Sequence, residues 1–342
     1  MEFFRRVKSA ARIVLKGDSK KKLRPPIPAI TTEEVAEIKQ FFPREKFFIF
    51  GHARSGTTLL MRLVRLHPEV HCNYQAHFFT RQPLLKSLVN TPEAEEWLNR
   101  KSNRWNQGRD LSPLVLRATA DFIMERDAKE GKRIVGDKSP SSTIHGQAAR
   151  DLHAIYPDAK LIYIVRDGRD VLISERFRNL VEESKFLKVE DRSIIEELRK
   201  DPTPFTNGTR SIFTENVIRR VASGWVKNVG EIDSEGRRLF GKNYCSIRYE
   251  DLLAYPFDEM QTLWKFLGVE VDESLERAIV EEMSSNPDEA WQTKRNEDIA
   301  SFLPKGQAGN WQRLFTARDK SLFKEFAGEM LIKWKYEKDT NW

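Results

Sequence analysis

Short apolar runs alternate with amphipathic segments along most of the chain. The clearest run is Lys160–Val165 (KLIYIV), and Lys46–Phe50, Arg133–Asp137 and Asn243–Arg248 are three further short segments of this kind. Such runs predict strands buried within a sheet. Because helical segments separate them, the pattern indicates a parallel sheet covered on both faces. We therefore expect an α/β fold, a three-layer sandwich with a central, mostly parallel sheet flanked by helices.

The segments between these runs carry apolar residues at helical spacing. We predict helices at Thr57–Leu66, Ser141–Tyr156, Gly168–Leu180 and Thr214–Val229. His67 and Pro68 end the first of these helices. Residues 83–130 are predicted to be largely helical, with Trp97 and Trp105 as packing residues.

A basic arm precedes the folded body. Residues 1–28 end in KKKLRPPIP, and residues 29–342 are predicted to form a single domain with helical insertions at about 83–130 and 183–212. Apolar residues of the arm share one helical face ringed by Arg and Lys, which permits peripheral contact with an anionic membrane surface. A helix packed on its own domain and a mobile basic tail are the alternatives.

Composition narrows the functional classes. With 39% hydrophobic and 32% charged residues the chain is typical of globular proteins, and no apolar run approaches the ~18–20 residues that span a bilayer. The start of the sequence lacks the apolar core of a secretory signal. Cys72 and Cys245 are too few for a disulfide framework, which favours a cytoplasmic location.

The net charge of +7 favours anionic partners such as nucleotides and phosphates. Nucleic acid is not expected, because neither zinc-finger spacing nor an RNP-like aromatic strand occurs. A metal is not expected either, since no Cys/His cluster has metal-ligand spacing.

The strongest local motif is GHARSGTTLL, Gly51–Leu60, placed between a predicted strand and a predicted helix. A loop there points backbone N–H groups and the positive end of the helix dipole at one spot. Its glycines permit tight turns, its hydroxyls add donors and Arg54 adds a charge, so the loop is suited to a phosphate. It lacks the Gly-Lys-[Ser/Thr] ending of a Walker A loop, which disfavours an ATPase or kinase.

Two later segments carry matching chemistry. In Ile164–Arg178, Arg166 follows the buried strand and Ser174 and Arg178 share a helix face, so the three side chains could converge on a second phosphate. The alternative is a solvated helix start with ion pairs. In Leu303–Thr316, Lys305 lies in a flexible basic loop that could close over a ligand, or that is a simple surface loop.

Together the three segments resemble the sulfotransferases that use 3′-phosphoadenylyl sulfate (PAPS), in the same chain order. The run Arg54-Ser55-Gly56-Thr57-Thr58 is similar to the family's 5′-phosphosulfate loop. Arg166 and Ser174 match its 3′-phosphate motif, and Lys305–Trp311 resembles the Lys-Gly-x-x-Gly-x-Trp element of the cytosolic branch. The resemblance covers about residues 45–316 and implies a P-loop NTPase-like sulfotransferase fold.

The resemblance also implies the donor PAPS, the product PAP and no metal. The residues that it implies as nucleotide contacts are Arg54, Ser55, Gly56, Thr57, Thr58, Arg166, Ser174, Arg178, Tyr249, Lys305 and Gly306. Leu59 departs from the cytosolic branch, which has a Trp beside the adenine, and Pro304 replaces an Arg. The 3′-phosphate then has one cation fewer, or Arg178 supplies it as in the tyrosylprotein branch.

Sulfuryl transfer places negative charge on the leaving phosphate, where cations help most. Arg54 and Lys138 are the candidates, because Lys138 follows the second predicted strand and is similar to a Lys that contacts the transferred group in the family. Pro140 stands where the cytosolic branch has its base His. His77 is therefore our first candidate for the base and His145 the second. The alternative for His77 is a hydrogen-bonded wall residue of the acceptor pocket.

The function predicted from the sequence is transfer of a sulfuryl group from PAPS to a hydroxyl or amine of a small molecule, lipid or carbohydrate. A nucleotide-binding scaffold without catalysis is the first alternative, and Pro140 is its support. A P-loop-like kinase is the second. Tyr74, Phe78, Phe79 and Phe205 could line an acceptor site or belong to the core. The acceptor itself stays open.

Overall fold

The computed structural model describes residues 27–81, 84–102, 104–181, 187–285 and 306–342. Nearly all of the predicted basic arm lies outside these ranges, and so does Lys305. Within them no helix is both long and apolar enough to cross a bilayer.

A five-stranded parallel sheet forms the centre of the molecule. Its strands are β1 (Glu45–Gly51), β2 (Val70–Tyr74), β3 (Ile134–Lys138), β4 (Lys160–Val165) and β5 (Tyr244–Arg248). Their spatial order is β2-β3-β1-β4-β5, and every neighbouring pair is parallel. The predicted parallel sheet is confirmed. The sequence pattern missed β2, because this edge strand alternates buried and partly exposed residues instead of forming an apolar run.

Helices connect the strands and cover both faces. Those of the described residues are α1 (Thr32–Lys39), α2 (Thr57–Val64), α3 (Leu84–Ser87), α4 (Pro92–Asn99), α5 (Ser112–Arg126), α6 (Gly146–Ile155), α7 (Gly168–Val181), α8 (Val189–Lys200), α9 (Thr203–Thr206), α10 (Glu215–Phe240), α11 (Tyr249–Ala254), α12 (Pro256–Leu267), α13 (Ser274–Ser284), α14 (Trp311–Leu314) and α15 (Ala317–Lys333). Insertion 83–130 contains α3, α4 and α5, and insertion 183–212 contains α8 and α9.

Two helices differ from their predicted bounds by more than two residues at one end. The helix predicted to end at Val229 continues to Phe240, because its buried face continues through Ile232 and Gly236. The helix predicted from Ser141 begins only at Gly146, since Ser141 N–H extends the sheet edge by donating to Gly51 O at 2.9 Å.

The apolar core lies in two layers, one on each face of the sheet. On β1, Phe48 and Phe50 face the cluster built with α5, α6, α7, α10 and α15, whereas Phe47 and Ile49 face the cluster built with α2, α11, α12 and α13. Alternate side chains of one strand thus enter opposite layers, as expected for a central strand. The predicted three-layer sandwich is confirmed.

Trp97 and Trp105, predicted to be packing residues, pack on each other and not in the core. They are 60% and 50% exposed and stack on each other with ring centroids 4.9 Å apart. Helical spacing identified the helix around Trp97 but not which face meets the core.

Candidate active site

The carboxyl ends of β1, β3 and β4 bring the candidate residues to one edge of the sheet. Because parallel strands all end on the same side, the loop after Gly51, the side chain of Lys138 and the side chain of Arg166 lie at neighbouring positions. Ligands bind at this edge in open α/β sheets.

The loop between β1 and α2 holds its shape through one glycine in the left-handed region. Gly56 caps α2 with a φ of 85°, and a Cβ on it would lie 2.2 Å from the ring of Tyr249. The first helical bond runs from Leu60 N–H to Gly56 O, at 3.1 Å. The N–H groups of the preceding turn therefore point out of the helix end, where an anion is favoured.

Two buried polar atoms of the first two motifs have no hydrogen-bond partner among the described residues. They are Ser55 Oγ and Arg166 Nε. Leaving such atoms unpaired costs about 1–3 kcal/mol each. Both lie where phosphate groups of PAPS are expected, so this donor fits the residues present.

The motifs Gly51–Leu60 and Ile164–Arg178 contact each other directly. Arg54 Nε donates to Ser174 Oγ at 3.0 Å, and Arg166 Nη1 donates to Arg54 O at 3.1 Å. Arg178 lies one turn beyond Ser174 on α7 and is exposed. The structure thus places the two predicted phosphate motifs side by side, while the contacts of their residues with a nucleotide stay predictions.

Residues of the third motif contact the side chains of Arg166 and Tyr249. Arg166 Nη2 donates to Gln307 O at 3.0 Å, and the Tyr249 hydroxyl donates to Gly306 O at 2.7 Å. The guanidinium of Arg166 also lies over the Tyr249 ring, 4.8 Å from its centroid. Residues 306–311, which we call the 306–311 loop, therefore cover Arg166.

Asp170 anchors this loop and was missed by the sequence analysis. Its carboxylate accepts from Gly309 N–H at 2.7 Å and from Trp311 N–H at 3.1 Å. Burial raises the pKa of Asp170, and the nearby Arg166 opposes the rise. An acidic residue in the first turn of a helix is usually explained by the helix dipole, so the sequence alone gave no signal for this contact.

Lys138 points from β3 towards the loop. Its Nζ lies 3.3 Å from Thr58 Oγ1 and 3.8 Å from the centroid of the Tyr74 ring. Burial lowers the pKa of Lys138 to about 8. Tyr74 is 60% exposed, whereas Phe78, Phe79 and Phe205 are buried in the core. Of these four aromatic candidates, Tyr74 alone is largely exposed, and it borders Lys138.

His77 is buried in the turn that follows β2. Its Nδ1 pairs with Thr80 Oγ1 at 2.9 Å, and its Nε2 is buried without a partner among the described residues. Burial lowers the pKa of His77 to about 4, with further lowering by Arg81 and Lys138. The imidazole is therefore neutral at pH 7, as a proton acceptor must be.

A buried acid and a serine fix the backbone of this turn. Ser139 Oγ donates to the carboxylate of Asp137 and accepts from His77 N–H at 2.8 Å, while Asp137 accepts from Ala76 N–H at 2.9 Å. The turn needs support, since Gln75 and His77 have positive φ angles of 58° and 55°. Burial raises the pKa of Asp137 to about 6.

His145 lies at the start of α6 and faces α10. Its Nδ1 is buried without a partner in the described part of the chain. Burial lowers the pKa of His145, Lys227 lowers it further and Glu231 opposes this. The charges that surround His145 thus come from α10, and proximity in sequence to Lys138 is a weaker argument for it than the geometry of His77. Among the described residues no group of three or more His, Cys, Asp and Glu could hold a metal ion.

Comparison with known proteins gives one family. The family model described as "Sulfotransferase family" matches residues 45–273. Protein-tyrosine sulfotransferase A of Caenorhabditis elegans is 25% identical over 230 residues, 67% of this chain and 51% of that protein. Protein-tyrosine sulfotransferase of Drosophila melanogaster is 26% identical over 227 residues, 65% of this chain and 38% of that protein. The chain thus spans about half or less of these curated relatives.

A solved structure is also similar. Mouse sulfotransferase SULT7A1 complexed with PAP has a TM-score of 0.48 and 17% identity, with 88% of this chain and 89% of that chain covered.

Proposed function

The chain belongs to the sulfotransferase family, and on this premise we propose that it transfers the sulfuryl group of PAPS to a hydroxyl or amine and releases PAP. The observation that carries the proposal is the pair of unpartnered buried atoms, Ser55 Oγ and Arg166 Nε, at the edge where three phosphate-binding motifs meet. A bound bisphosphorylated nucleotide supplies acceptors for both.

We assign the 5′-phosphosulfate and the 3′-phosphate of PAPS to two different sets of protein groups. The N–H groups at the start of α2, with Ser55 and Thr58, hold the 5′-phosphosulfate. Arg166 and Ser174 hold the 3′-phosphate, and Arg178 reaches it from one turn further along α7. We base this assignment on the order of the motifs in the chain. The 306–311 loop completes the proposed 3′-phosphate site by covering Arg166.

The chemical step needs a base and a cation. The acceptor oxygen or nitrogen attacks sulfur, the bond from sulfur to the 5′-phosphate oxygen of PAP breaks, and the acceptor proton passes to His77 Nε2. Arg54 and Lys138 stabilise the charge that develops on the leaving phosphate and the sulfuryl oxygens. His77 suits the role because its Nδ1 is already held by Thr80, which leaves Nε2 as the available nitrogen.

The acceptor enters from the side of Tyr74. Its exposed ring lies beside Lys138, so it borders the place where the sulfuryl group is transferred. The matched relatives are named protein-tyrosine sulfotransferases. A phenolic hydroxyl is therefore the first acceptor class to test, before sugars, lipids and amines.

Radiolabelled PAPS added to the purified protein and a fractionated cell extract tests the proposal. Label should move to an acceptor, and the Arg54→Ala variant in the same extract should transfer far less. Binding of PAP without any transfer would favour the non-catalytic scaffold. A protein that does not bind PAP would contradict both.

A further inference from the structure

A cavity of about 500 Å³ lies behind the 306–311 loop, away from Lys138 and His77. Its lining includes the start of α7 and three residues, Tyr336, Glu337 and Trp342, of the segment Trp334–Trp342, which we call the latch segment. We propose that the latch segment holds the 306–311 loop in place and thereby sets the affinity for the 3′-phosphate of the donor. The proposal rests on the donor assigned above.

The contact centres on Arg169, a fully buried residue of α7. Its guanidinium lies over two indole rings, 3.6 Å from the centroid of Trp311 and 4.4 Å from that of Trp342. The two rings also meet edge to face at 5.6 Å. Trp311 belongs to the 306–311 loop and Trp342 to the latch segment, so Arg169 joins the two.

Two further contacts tie the latch segment to the same helix start. Glu337 forms an ion pair with Arg169, whose guanidinium also binds Asp167 at 2.7 Å. The Tyr336 hydroxyl donates to Glu250 at 2.9 Å, and Glu250 accepts from Asp167 N–H at 2.9 Å. Removing one partner of a buried ion pair is destabilising, because the remaining charge is left buried and uncompensated.

The same pairing connects the 306–311 loop, the latch segment and the start of α7 around the cavity. Its carboxylates are all engaged within the protein: Asp167 and Glu337 on Arg169, Glu250 on Tyr336, and Asp170 on the N–H groups of the 306–311 loop. Each acidic side chain that lines the cavity therefore already contacts another group of the protein.

Two sets of hydrogen bonds connect the residues around this cavity to the proposed donor site. Asp170, the residue that follows Arg169 in α7, accepts hydrogen bonds from the backbone N–H groups of Gly309 and Trp311. Gln307 O, in the same loop, accepts from Arg166 Nη2 at 3.0 Å. Loosening Trp311 therefore loosens the loop that orients Arg166, without touching Arg54, Lys138 or His77.

The test compares Trp342→Ala, Trp342→Phe and Glu337→Gln with Lys338→Ala, an exposed control in the same segment. Removing the indole should raise the Kd of PAP by about three- to tenfold, the range of a partly buried cation–π contact. The Kd of 5′-AMP, which lacks the 3′-phosphate, should change much less. Trp342→Phe keeps an aromatic face and should restore most of the affinity.

Amide exchange in the nucleotide-free protein gives a second readout, independent of the donor. Trp342→Ala and Glu337→Gln should speed exchange at Gly309 and Trp311, while amides of β1 and β4 stay protected. Unchanged exchange in both variants, or faster exchange throughout the fold, would overturn the latch. If the unaltered protein does not bind PAP, the proposed donor is wrong and exchange alone decides on the latch.

Discussion

Arg54 Nε donates to Ser174 Oγ at 3.0 Å, although the two residues are 120 positions apart in the chain. Arg54 belongs to the loop assigned to the 5′-phosphosulfate, and Ser174 belongs to the motif assigned to the 3′-phosphate. Because Arg166 also donates to Arg54 O, the two halves of the site form one hydrogen-bonded unit. The two proposed halves of the donor site therefore form one connected surface.

Removing the charge of Arg54 should lower turnover strongly. A single donor aimed at developing negative charge contributes about 2.7–4 kcal/mol, so Arg54→Ala should reduce kcat by about 10²–10³. Steady-state kinetics with PAPS and any accepted phenol measure this. Ser193→Ala, on the exposed side of α8, is the control. Normal turnover in Arg54→Ala would mean that the loop has been misassigned.

Gly56 should not tolerate a side chain. Gly56→Ala combines a positive φ with a Cβ 2.2 Å from the Tyr249 ring, whereas Gly131 has a similar φ of 83° and open space around it. Gly131→Ala should cost about 1 kcal/mol of unfolding free energy from the backbone alone. Gly56→Ala should cost more and should weaken PAP binding at least tenfold.

Denaturant unfolding and PAP titration of both glycine variants check this. Equal effects of Gly56→Ala and Gly131→Ala on stability and on PAP binding would show that contact with Tyr249 does not shape the loop.

Lys138 should make nucleotide binding depend on pH above neutrality. Its pKa of about 8 means that the ammonium is mostly charged at pH 7 and mostly neutral at pH 9. PAP favours the charged form, so its affinity should fall as pH rises through about 8, by at most about tenfold per pH unit. Lys138→Met should bind PAP more weakly and lose this slope.

Calorimetric titrations from pH 7 to pH 9.5 measure the slope in both proteins. Identical slopes in the unaltered protein and in Lys138→Met would remove Lys138 from the donor site.

Substituting His77 should lower kcat and leave donor binding intact. General base catalysis contributes typically 10²–10⁴-fold, so His77→Gln should lose about that factor. Because the folded pKa of His77 is about 4, its neutral form persists well below pH 6.5. The acid limb of kcat/KM, which reports groups of the free enzyme, should therefore lie near pH 4 for this residue. Full kcat in His77→Gln, with a loss in His145→Gln, would reassign the base.

The elements that local sequence determines were predicted correctly. β1 and β4 are apolar runs, and the loop at Gly51–Thr58 carries its own turn and donor residues, so a short window of sequence was sufficient. β2 has no such run. The anchor Asp170 contacts Gly309 from 139 positions away, and only the fold brings them together.

Asp137 and Arg169 were missed for a related reason. A carboxylate at the end of a strand and an arginine at the start of a helix are usually solvated, so neither residue type by itself indicates a buried side chain. Each has one partner two residues away, Ser139 for Asp137 and Asp167 for Arg169, but the others, Ala76 N–H for Asp137 and the rings of Trp311 and Trp342 for Arg169, come from distant segments.

The proposed function requires that this site bind a nucleotide carrying a 3′-phosphate. Calorimetric titration of PAP and of 5′-AMP into the same protein measures this preference, with Arg166→Ala as the matched variant. Charge-assisted hydrogen bonds contribute about 1.5–3 kcal/mol, so PAP should bind about 10- to 100-fold more tightly than 5′-AMP, and Arg166→Ala should remove most of that difference. Equal affinity for the two nucleotides, or a preference for PAP that survives in Arg166→Ala, would contradict the proposed 3′-phosphate site.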